Sequence, residues 1–457
     1  MRRAFLITAE TGLLLITGLA AAWLRLGEGT AWELFERQGW LKLLLVTLVI
    51  QLAFYLFDLY DLPATRSYRR VLRNLIKSLC AATVLLSIFF YALPSFQIGR
   101  GVFFVDLALA FVVISLWRLL AAWTAGHSRI GVRERVLILG SDSQAVEIAR
   151  ATLERRNAGF HIVGFVDNRP DLVGKSLINP KVIGVTSDIA CLVDEYDVDR
   201  IVVAVKDRRG KLPTDELLNL TLSGRVAVED CASYYERLTG KIATEMLRPS
   251  WLIFSRGNRF SDLARHIRRV VNAGLAVVGF ILSLPIMMMV AIAIKLESRG
   301  PIFYTQERVG KNGRTFKIIK FRSMRVDAEQ VSGPVWAGED DPRVTLVGRI
   351  IRRLRFDELP QFINVLRGDM NFVGPRPERP VFVEQLSEII PYYSQRHLVK
   401  PGLTGWAQIK YPYGSSVEDA IEKLMYDLYY IKNQSLLLDA MIAFETVKTV
   451  LFGRGGR

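Results

Sequence analysis

The run Val270-Val-Asn-Ala-Gly-Leu-Ala-Val-Val-Gly-Phe280-Ile-Leu-Ser283-Leu-Pro285-Ile-Met-Met-Met-Val290-Ala-Ile-Ala-Ile294 is long and apolar enough to cross a bilayer. Its flanks and its proline argue that it turns back instead. Arg265, Arg268 and Arg269 precede it, Lys295 and Arg299 follow it, and basic residues at both ends place both ends on the cytoplasmic side. Pro285 has no amide donor and clashes with the carbonyl four residues back, which favours a sharp bend. Ser283 could offer its hydroxyl to the backbone groups so freed. Residues 262–298 therefore predict a re-entrant membrane helix hairpin rather than a kinked full span. The hairpin keeps the charged stretch 299–457 on the side where nucleotides are found.

Upstream, the apolar runs Phe5 to Leu24, Leu41 to Leu59, Leu75 to Leu93 and Val102 to Trp123 predict four transmembrane helices within 1–125. Arg2 and Arg3 lie before the first run, Arg66, Arg69, Arg70 and Arg73 between the second and third, and Arg129, Arg133 and Arg135 after the fourth. All these ends belong in the cytoplasm, whereas the loop with Glu28, Glu33, Glu36 and Arg37 lies outside. No small-residue cleavage site follows the first run, so it reads as a retained anchor. Glu10 in that run is expected to face the bundle, because no relay partner is evident in the four spans.

The 457-residue chain is long enough for two or three units. Its net charge of +15 suits phosphate-rich ligands or an anionic lipid surface. Because the basic residues sit beside apolar runs, membrane lipids and not nucleic acid are the expected partner. Cys80, Cys191 and Cys231 are scattered and lack metal-ligand spacing, so neither a disulfide framework nor a zinc site is indicated.

Residues 134–250 change character. Arg135-Val-Leu-Ile-Leu-Gly-Ser-Asp-Ser-Gln-Ala145 reads as a buried strand, a tight turn at Gly140 and a helix start, and Ile162 to Val166 and Arg200 to Val205 read as further strands. This predicts a doubly wound, Rossmann-like α/β domain. The turn keeps only the first glycine of a dinucleotide fingerprint, so nucleotide binding is not expected of it. Asp167 reads as an ordinary strand-end residue in the turn Asp167-Asn-Arg-Pro170.

Four blocks after Gly300 carry chemistry. In Gln306 to Met324 a glycine turn joins two short strands, and Lys320 and Arg322 share one face of the second, as a diphosphate would require. In Gly348-Arg-Ile-Ile-Arg-Arg-Leu-Arg355-Phe-Asp357-Glu358-Leu-Pro360-Gln361, cations at helical spacing lead to two adjacent carboxylates, and Pro360 predicts a departure from regular helix there. Two such carboxylates could divide the work, one attacking phosphorus and the other holding Mg²⁺. In Gly374-Pro-Arg376-Pro-Glu378 two prolines immobilise an arginine suited to clamping phosphate. The block Arg396 to Gln408 brings a cation before a loop containing Trp406; burial of Trp406 as a packing anchor and an unremarkable His397 are the favoured readings.

Taken in order, Lys320-Phe-Arg-Ser-Met324, Asp357-Glu-Leu-Pro-Gln361, Asn364-Val-Leu-Arg-Gly-Asp-Met370, Val373-Gly-Pro-Arg-Pro-Glu378, Lys400-Pro-Gly-Leu-Thr-Gly-Trp-Ala-Gln408 and Asp427-Leu-Tyr-Tyr-Ile431 make the stretch from Arg265 onward resemble the bacterial sugar transferases, the monotopic phosphoglycosyltransferases. The four spans and α/β domain ahead of it resemble their long-chain, polyprenyl-phosphate hexose-1-phosphate branch. The resemblance implies a mixed α/β catalytic domain over 299–457 that initiates exopolysaccharide, O-antigen or capsule synthesis. A UDP-sugar would be the donor and polyprenyl phosphate the acceptor. It implies Asp357 as nucleophile, Glu358 as Mg²⁺ ligand, and Lys320, Arg322, Arg376 and Arg396 as phosphate-binding residues. It matches Ser283 and Pro285 to the hairpin break, with Leu284 between them where the family has an adjacent pair, and Phe356 to a usual Leu. It implies a multi-pass protein of the bacterial inner membrane with its catalytic domain on the cytoplasmic face; its surfaces offer room for a homodimer. The rival expectations are a membrane-tethered nucleotide-sugar oxidoreductase or dehydratase and a non-catalytic scaffold. Against the former, Tyr196, Tyr234 and Tyr235 have no lysine four residues on.

Overall fold

A computed structural model describes residues 2–30, 38–60, 68–127, 134–155, 159–205, 212–246, 262–326, 341–411, 414 and 416–451. Glu33, Glu36, Arg37, Arg66, Arg129 and Arg133, counted above for orientation, lie outside the described residues. The chain forms two compact units, Met1–Glu134 with Arg155–His161, and Arg135–Glu154 with Ile162–Arg457.

The first unit contains α1 (Arg2–Leu26), α2 (Gly39–Leu56), α3 (Tyr68–Ala92) and α4 (Arg100–His127). Each has an apolar window long enough to cross a membrane. α3 starts at Tyr68, ahead of the predicted Leu75, because Arg69, Arg70 and Arg73 are good helix formers that extend it beyond its apolar part. Leu14, Ile50, Phe54, Leu75, Leu86 and Ile114 close the bundle interior.

Glu10 faces that interior, as expected, but it has a partner the sequence reading passed over. Arg118 of α4 meets it through two nitrogens, Nε at 2.6 Å and Nη2 at 3.0 Å, and gives Nη1 to the Leu59 carbonyl at 2.9 Å. Both side chains are buried. Removing one member of such a pair strands the other charge, at a cost of about 3–5 kcal/mol, whereas replacing both with apolar groups is close to neutral. Arg118→Ala is therefore expected to unfold at markedly lower SDS concentration than the unsubstituted protein in detergent, and Glu10→Leu/Arg118→Met to recover most of the difference. An unchanged midpoint for Arg118→Ala would show that the pair contributes nothing.

The α/β domain comprises β1 (Glu134–Leu139), α5 (Ser143–Glu154), β2 (Phe160–Asp167), β3 (Val182–Val185), α6 (Ile189–Glu195), β4 (Arg200–Val203), α7 (Thr214–Leu222), β5 (Ala227–Asp230) and α8 (Cys231–Thr239). The strand order is β3-β2-β1-β4-β5, and the pairs β1–β4, β2–β3 and β4–β5 are parallel, the doubly wound arrangement read from the sequence. Gly140 has φ +117°, and a Cβ there would lie 2.9 Å from the Ala204 carbonyl oxygen, so the close approach of β4 accounts for this glycine. The turn beyond it is filled by its own polar groups. Ser141 Oγ donates to Asp167, while Asp167 Oδ1 accepts from the Arg169 amide and Nε, each at 3.1 Å. Arg169 Nη2 also reaches Ser141 Oγ at 2.6 Å, so Asp167 is the turn residue the sequence predicts.

The remaining elements are α9 (Asp262–Glu297), β6 (Phe303–Val309), β7 (Thr315–Phe321), α10 (Leu346–Arg353), α11 (Phe362–Arg367), β8 (Asn371–Val373), α12 (Pro380–Ile389), β9 (Gly402–Thr404), α13 (Trp406–Lys410), α14 (Val417–Lys432) and α15 (Leu436–Leu451). β6 and β7 form the predicted antiparallel hairpin around Gly310 to Arg314, and β8 and β9 pair in parallel. Where the sequence predicts a hairpin of helices, α9 is one helical element running through Pro285. Ser283 Oγ donates to the Phe280 carbonyl at 3.0 Å and not to that of Ile281, the acceptor that Pro285 leaves without its amide. One face of α9 packs on the domain along its length: Ala276 clusters with Phe362, Val365 and Met370, and Met287, Val290 and Ile294 cluster with Phe321 and Ile351. The other face exposes Val270, Val278, Leu282, Met289 and Leu296.

Candidate active site

Thr345 caps α10, its Oγ1 accepting from the Gly348 amide at 2.9 Å, and the helix ends before Arg355, whose φ of +57° turns the chain. Phe356–Gln361 then forms a 3-10 turn around Pro360. The sequence predicts this departure from α-helix, and three residues per turn set the Asp357 and Glu358 side chains about 120° apart. Both carboxylates are nonetheless buried, at 9% exposure each, so each must be stabilised by what surrounds it.

Glu358 is. Its Oε1 accepts from Arg376 Nη2 at 2.7 Å and Lys320 Nζ at 3.1 Å, and Arg355 Nη1 lies 3.9 Å from Oε2. Burial pushes its carboxyl up, yet Arg376, Lys320 and Arg355 together outweigh burial and hold it well below the usual carboxylate range. Asp357 differs: it makes no hydrogen bond or ion pair among the described residues. Burial first, and the Glu358 charge second, push it up to about 6. The dyad thus contains one charge fixed by three cations and one carboxylate with both oxygens uncommitted. Burial is likewise the largest influence on Lys320, lowering its ammonium against the pull of Glu358.

The partners are held by the fold. Lys320 sits on β7, and β7 is fixed to the dyad by Asn364 of α11, fully buried, which accepts from the Ile319 amide at 3.0 Å and donates to the Lys317 carbonyl at 2.8 Å. Arg376 sits between its two prolines in a loop bracketed by β6. Val309 N donates to the Glu378 carbonyl at 2.9 Å, and Arg308 Nη1 donates to that of Pro377 at 3.1 Å. Gly374, Gly402 and Gly405 let the backbones of this loop and β9 meet; a Cβ at Gly405 would collide with the Gly374 carbonyl.

Of the expected phosphate-binding residues, the structure brings Lys320 and Arg376 to the dyad and commits the other two elsewhere. Arg322, just past the end of β7, is buried and donates to the carbonyls of Arg299 at 3.0 Å and Ser298 at 2.9 Å and to Ser298 Oγ at 2.8 Å. It secures the chain leaving α9, because carbonyls past a helix end need donors. Arg396 is also buried. It pairs with Asp427 of α14 at 2.8 Å, donates to Tyr393 OH at 2.7 Å, and donates to the Arg376 main-chain carbonyl at 3.0 Å. Burial pushes Asp427 up to about 6 against the opposing pull of Arg396. The alternating charges of a sequence reveal neither commitment. Asp427 and Asn364 were legible only as letters within the matched strings, and Tyr393 lies outside them.

Trp406 is the expected packing anchor, 7% exposed and stacked on Tyr429 with centroids 5.7 Å apart. His397 has burial, and then the Arg396 cation, pushing it down to about 4 from an ordinary 6.5. Below pH 6.5 the unfolded chain takes up a proton that the folded chain refuses, so stability falls as the pH drops from about 6.5 toward 4. His397→Gln lacks this loss: between pH 7.5 and pH 5 its apparent melting temperature is expected to drop less than that of the unsubstituted protein. Parallel curves would contradict the shift.

Among the described residues no three His, Cys, Asp or Glu side chains converge as a metal cage. Mg²⁺ does not require one, since it is commonly held by one or two carboxylates with substrate phosphates and water. Both Asp357 oxygens and Glu358 Oε2 are hard donors without a close hydrogen-bond partner, so the donor set fits such an ion.

Comparison with known proteins gives two family matches: bacterial sugar transferase over residues 263–453 and CoA-binding domain over residues 55–211. Among curated relatives, the UDP-N-acetylgalactosamine-undecaprenyl-phosphate N-acetylgalactosaminephosphotransferase of Aeromonas hydrophila is 46% identical over 49% of this chain and 52% of its own. The undecaprenyl-phosphate glucose phosphotransferase of Komagataeibacter xylinus is 33% identical over 70% of this chain and 59% of its own. The galactosyl transferase CpsE of Streptococcus agalactiae is 30% identical over 91% of this chain and 94% of its own. The chain thus spans little more than half the length of the first two relatives and nearly all of the third.

Proposed function

Because the chain belongs to the bacterial sugar transferase family, we propose that it moves a hexose 1-phosphate from a UDP-sugar to polyprenyl phosphate at the cytoplasmic face of the inner membrane. The observation that carries the reading is the asymmetry of the dyad: Glu358 is held by Arg376 and Lys320, and Asp357 beside it is buried and uncommitted.

An Asp357 oxygen attacks the β-phosphorus; the Asp357 O–P bond forms, the bond from Pβ to the bridging oxygen breaks, and UMP leaves with that oxygen. An oxygen of polyprenyl phosphate then attacks the same phosphorus, forms the diphosphate, and returns Asp357 as carboxylate. Arg376 and Lys320, held beside Asp357 by Glu358, would meet the charge that builds on the phosphoryl oxygens, and phosphoryl transfer is governed mainly by such positioning and charge stabilisation. Glu358 would hold Mg²⁺ through Oε2, and the ion supplies further neutralisation of phosphate charge when bound. The exposed apolar face of α9, opposite a face packed on the domain from Ala276 to Ile294, supports contact of this helix with membrane lipid, and the basic residues at both its ends support keeping both on the cytoplasmic side. The names of the relatives support the lipid acceptor. The oxidoreductase reading draws no support from a turn at Gly140 filled by Ser141, Asp167 and Arg169.

The test is UMP release in membranes screened across UDP-sugars with and without added polyprenyl phosphate; a scaffold gives no turnover with any donor. EDTA is expected to reduce UMP release to background and excess Mg²⁺ to restore it. Full activity in EDTA would remove the metal from this account.

A further inference from the structure

The α/β domain ends in a seat on the catalytic domain. After α8, Gly240 carries φ +70°, and its carbonyl accepts from Trp406 Nε1 at 2.8 Å. Lys241 Nζ reaches both oxygens of Glu422 at 2.9 Å, and the Ile242 amide donates to the Met425 carbonyl at 3.0 Å. Glu236 of α8 accepts from Lys432 Nζ at 2.6 Å and Asn433 Nδ2 at 2.7 Å. The catalytic-domain partners Glu422, Met425 and Lys432 recur at three to seven residues along α14 and so mark one side of that helix.

A different side of the same helix serves the active site, because Asp427 holds Arg396 and Arg396 holds the Arg376 carbonyl. A second route runs through packed side chains. Ile242, 2% exposed, belongs to one buried cluster with Tyr393, Leu424 and Leu428, and Tyr393 OH accepts from Arg396 while its ring lies 5.1 Å from that guanidinium. The seat and Arg376 are thus linked through one buried cluster, Tyr393 and Arg396, in packed structure with little freedom to absorb a shift.

We propose that the segment Glu236 to Ile242 of the α/β domain is a positioning element of the donor-phosphate site, setting Arg376 through Tyr393, Arg396 and Asp427. This rests on the transferase reading and gives the α/β domain a role that needs no nucleotide of its own. None of the seat residues touches the dyad; they act through others.

The experiment compares donor KM and kcat for UMP release by full-length protein in membranes. The variants are Ile242→Ala, Glu236→Gln/Lys241→Met, and each of these combined with Arg376→Lys. Variants that loosen a seat positioning Arg376 are expected to lower kcat/KM for the donor roughly five- to tenfold, and combining them with Arg376→Lys yields less than the product of the separate effects. Glu236→Gln/Lys241→Met opens no large cavity, so it keeps the test alive if Ile242→Ala folds poorly. Unchanged kcat/KM in variants that turn over, or effects that multiply with Arg376→Lys, would overturn the proposal while leaving the transferase reading intact. Absence of UMP release from the unsubstituted chain with every donor would instead take down that reading, and this inference with it.

Discussion

Asp357→Asn is expected to lower UMP release by at least roughly 10³-fold while leaving the fold unharmed. Asparagine keeps the shape and removes the proposed nucleophile. The stability half of the expectation follows from what Asp357 does not do: with no hydrogen bond or ion pair among the described residues, it leaves no partner stranded when its charge is lost. Removing a buried charge that burial already disfavours should even raise the melting temperature slightly. Glu358→Gln offers the contrast. It also impairs turnover, but it leaves Arg376 and Lys320 facing a neutral amide in place of their shared carboxylate and is expected to destabilise the protein. Equal melting temperatures for the two variants, or substantial turnover by Asp357→Asn, would contradict the division of labour within the dyad.

Arg376→Ala carries the second large effect. Loss of one preorganised donor to developing charge typically costs 10²–10³-fold in rate, and here kcat/KM for the donor is expected to drop by about that factor. Arg376→Lys should recover only part of it, because an ammonium lacks the planar fork that a proline-fixed loop aims at Glu358 from 2.7 Å. Arg322→Lys, at a residue turned toward Ser298 and Arg299, is expected to act on stability more than on donor KM.

That contrast between Arg376 and Arg322 marks how far the amino-acid order could be read. Apolar runs, the glycine turn between β6 and β7 and the alternation of strands and helices are local or periodic signals, and the elements they predict are present. The rigid loop at Arg376 was legible because its two prolines are adjacent to it. Partnerships were not: Arg396 finds Asp427, Arg118 finds Glu10 from the last of the four N-terminal helices, and Arg322 finds main-chain carbonyls at the end of α9. Each depends on tertiary placement, and a cation near a substrate motif carries the same letter whether it meets phosphate or holds the loop that does. The course of α9 through Pro285 is a case of the same kind, since the domain packed along one of its faces supports the helix where the isolated sequence favours a break.

The most direct test of the central claim is a single-turnover measurement with UDP-sugar and no polyprenyl phosphate. The account predicts a burst of UMP approaching one equivalent per active chain, together with an acid-stable peptide spanning Asp357 that carries the mass of one hexose phosphate and vanishes when polyprenyl phosphate is added. UMP release that begins only once the lipid acceptor is present, with Asp357 never modified, would mean direct transfer between donor and acceptor and would contradict it.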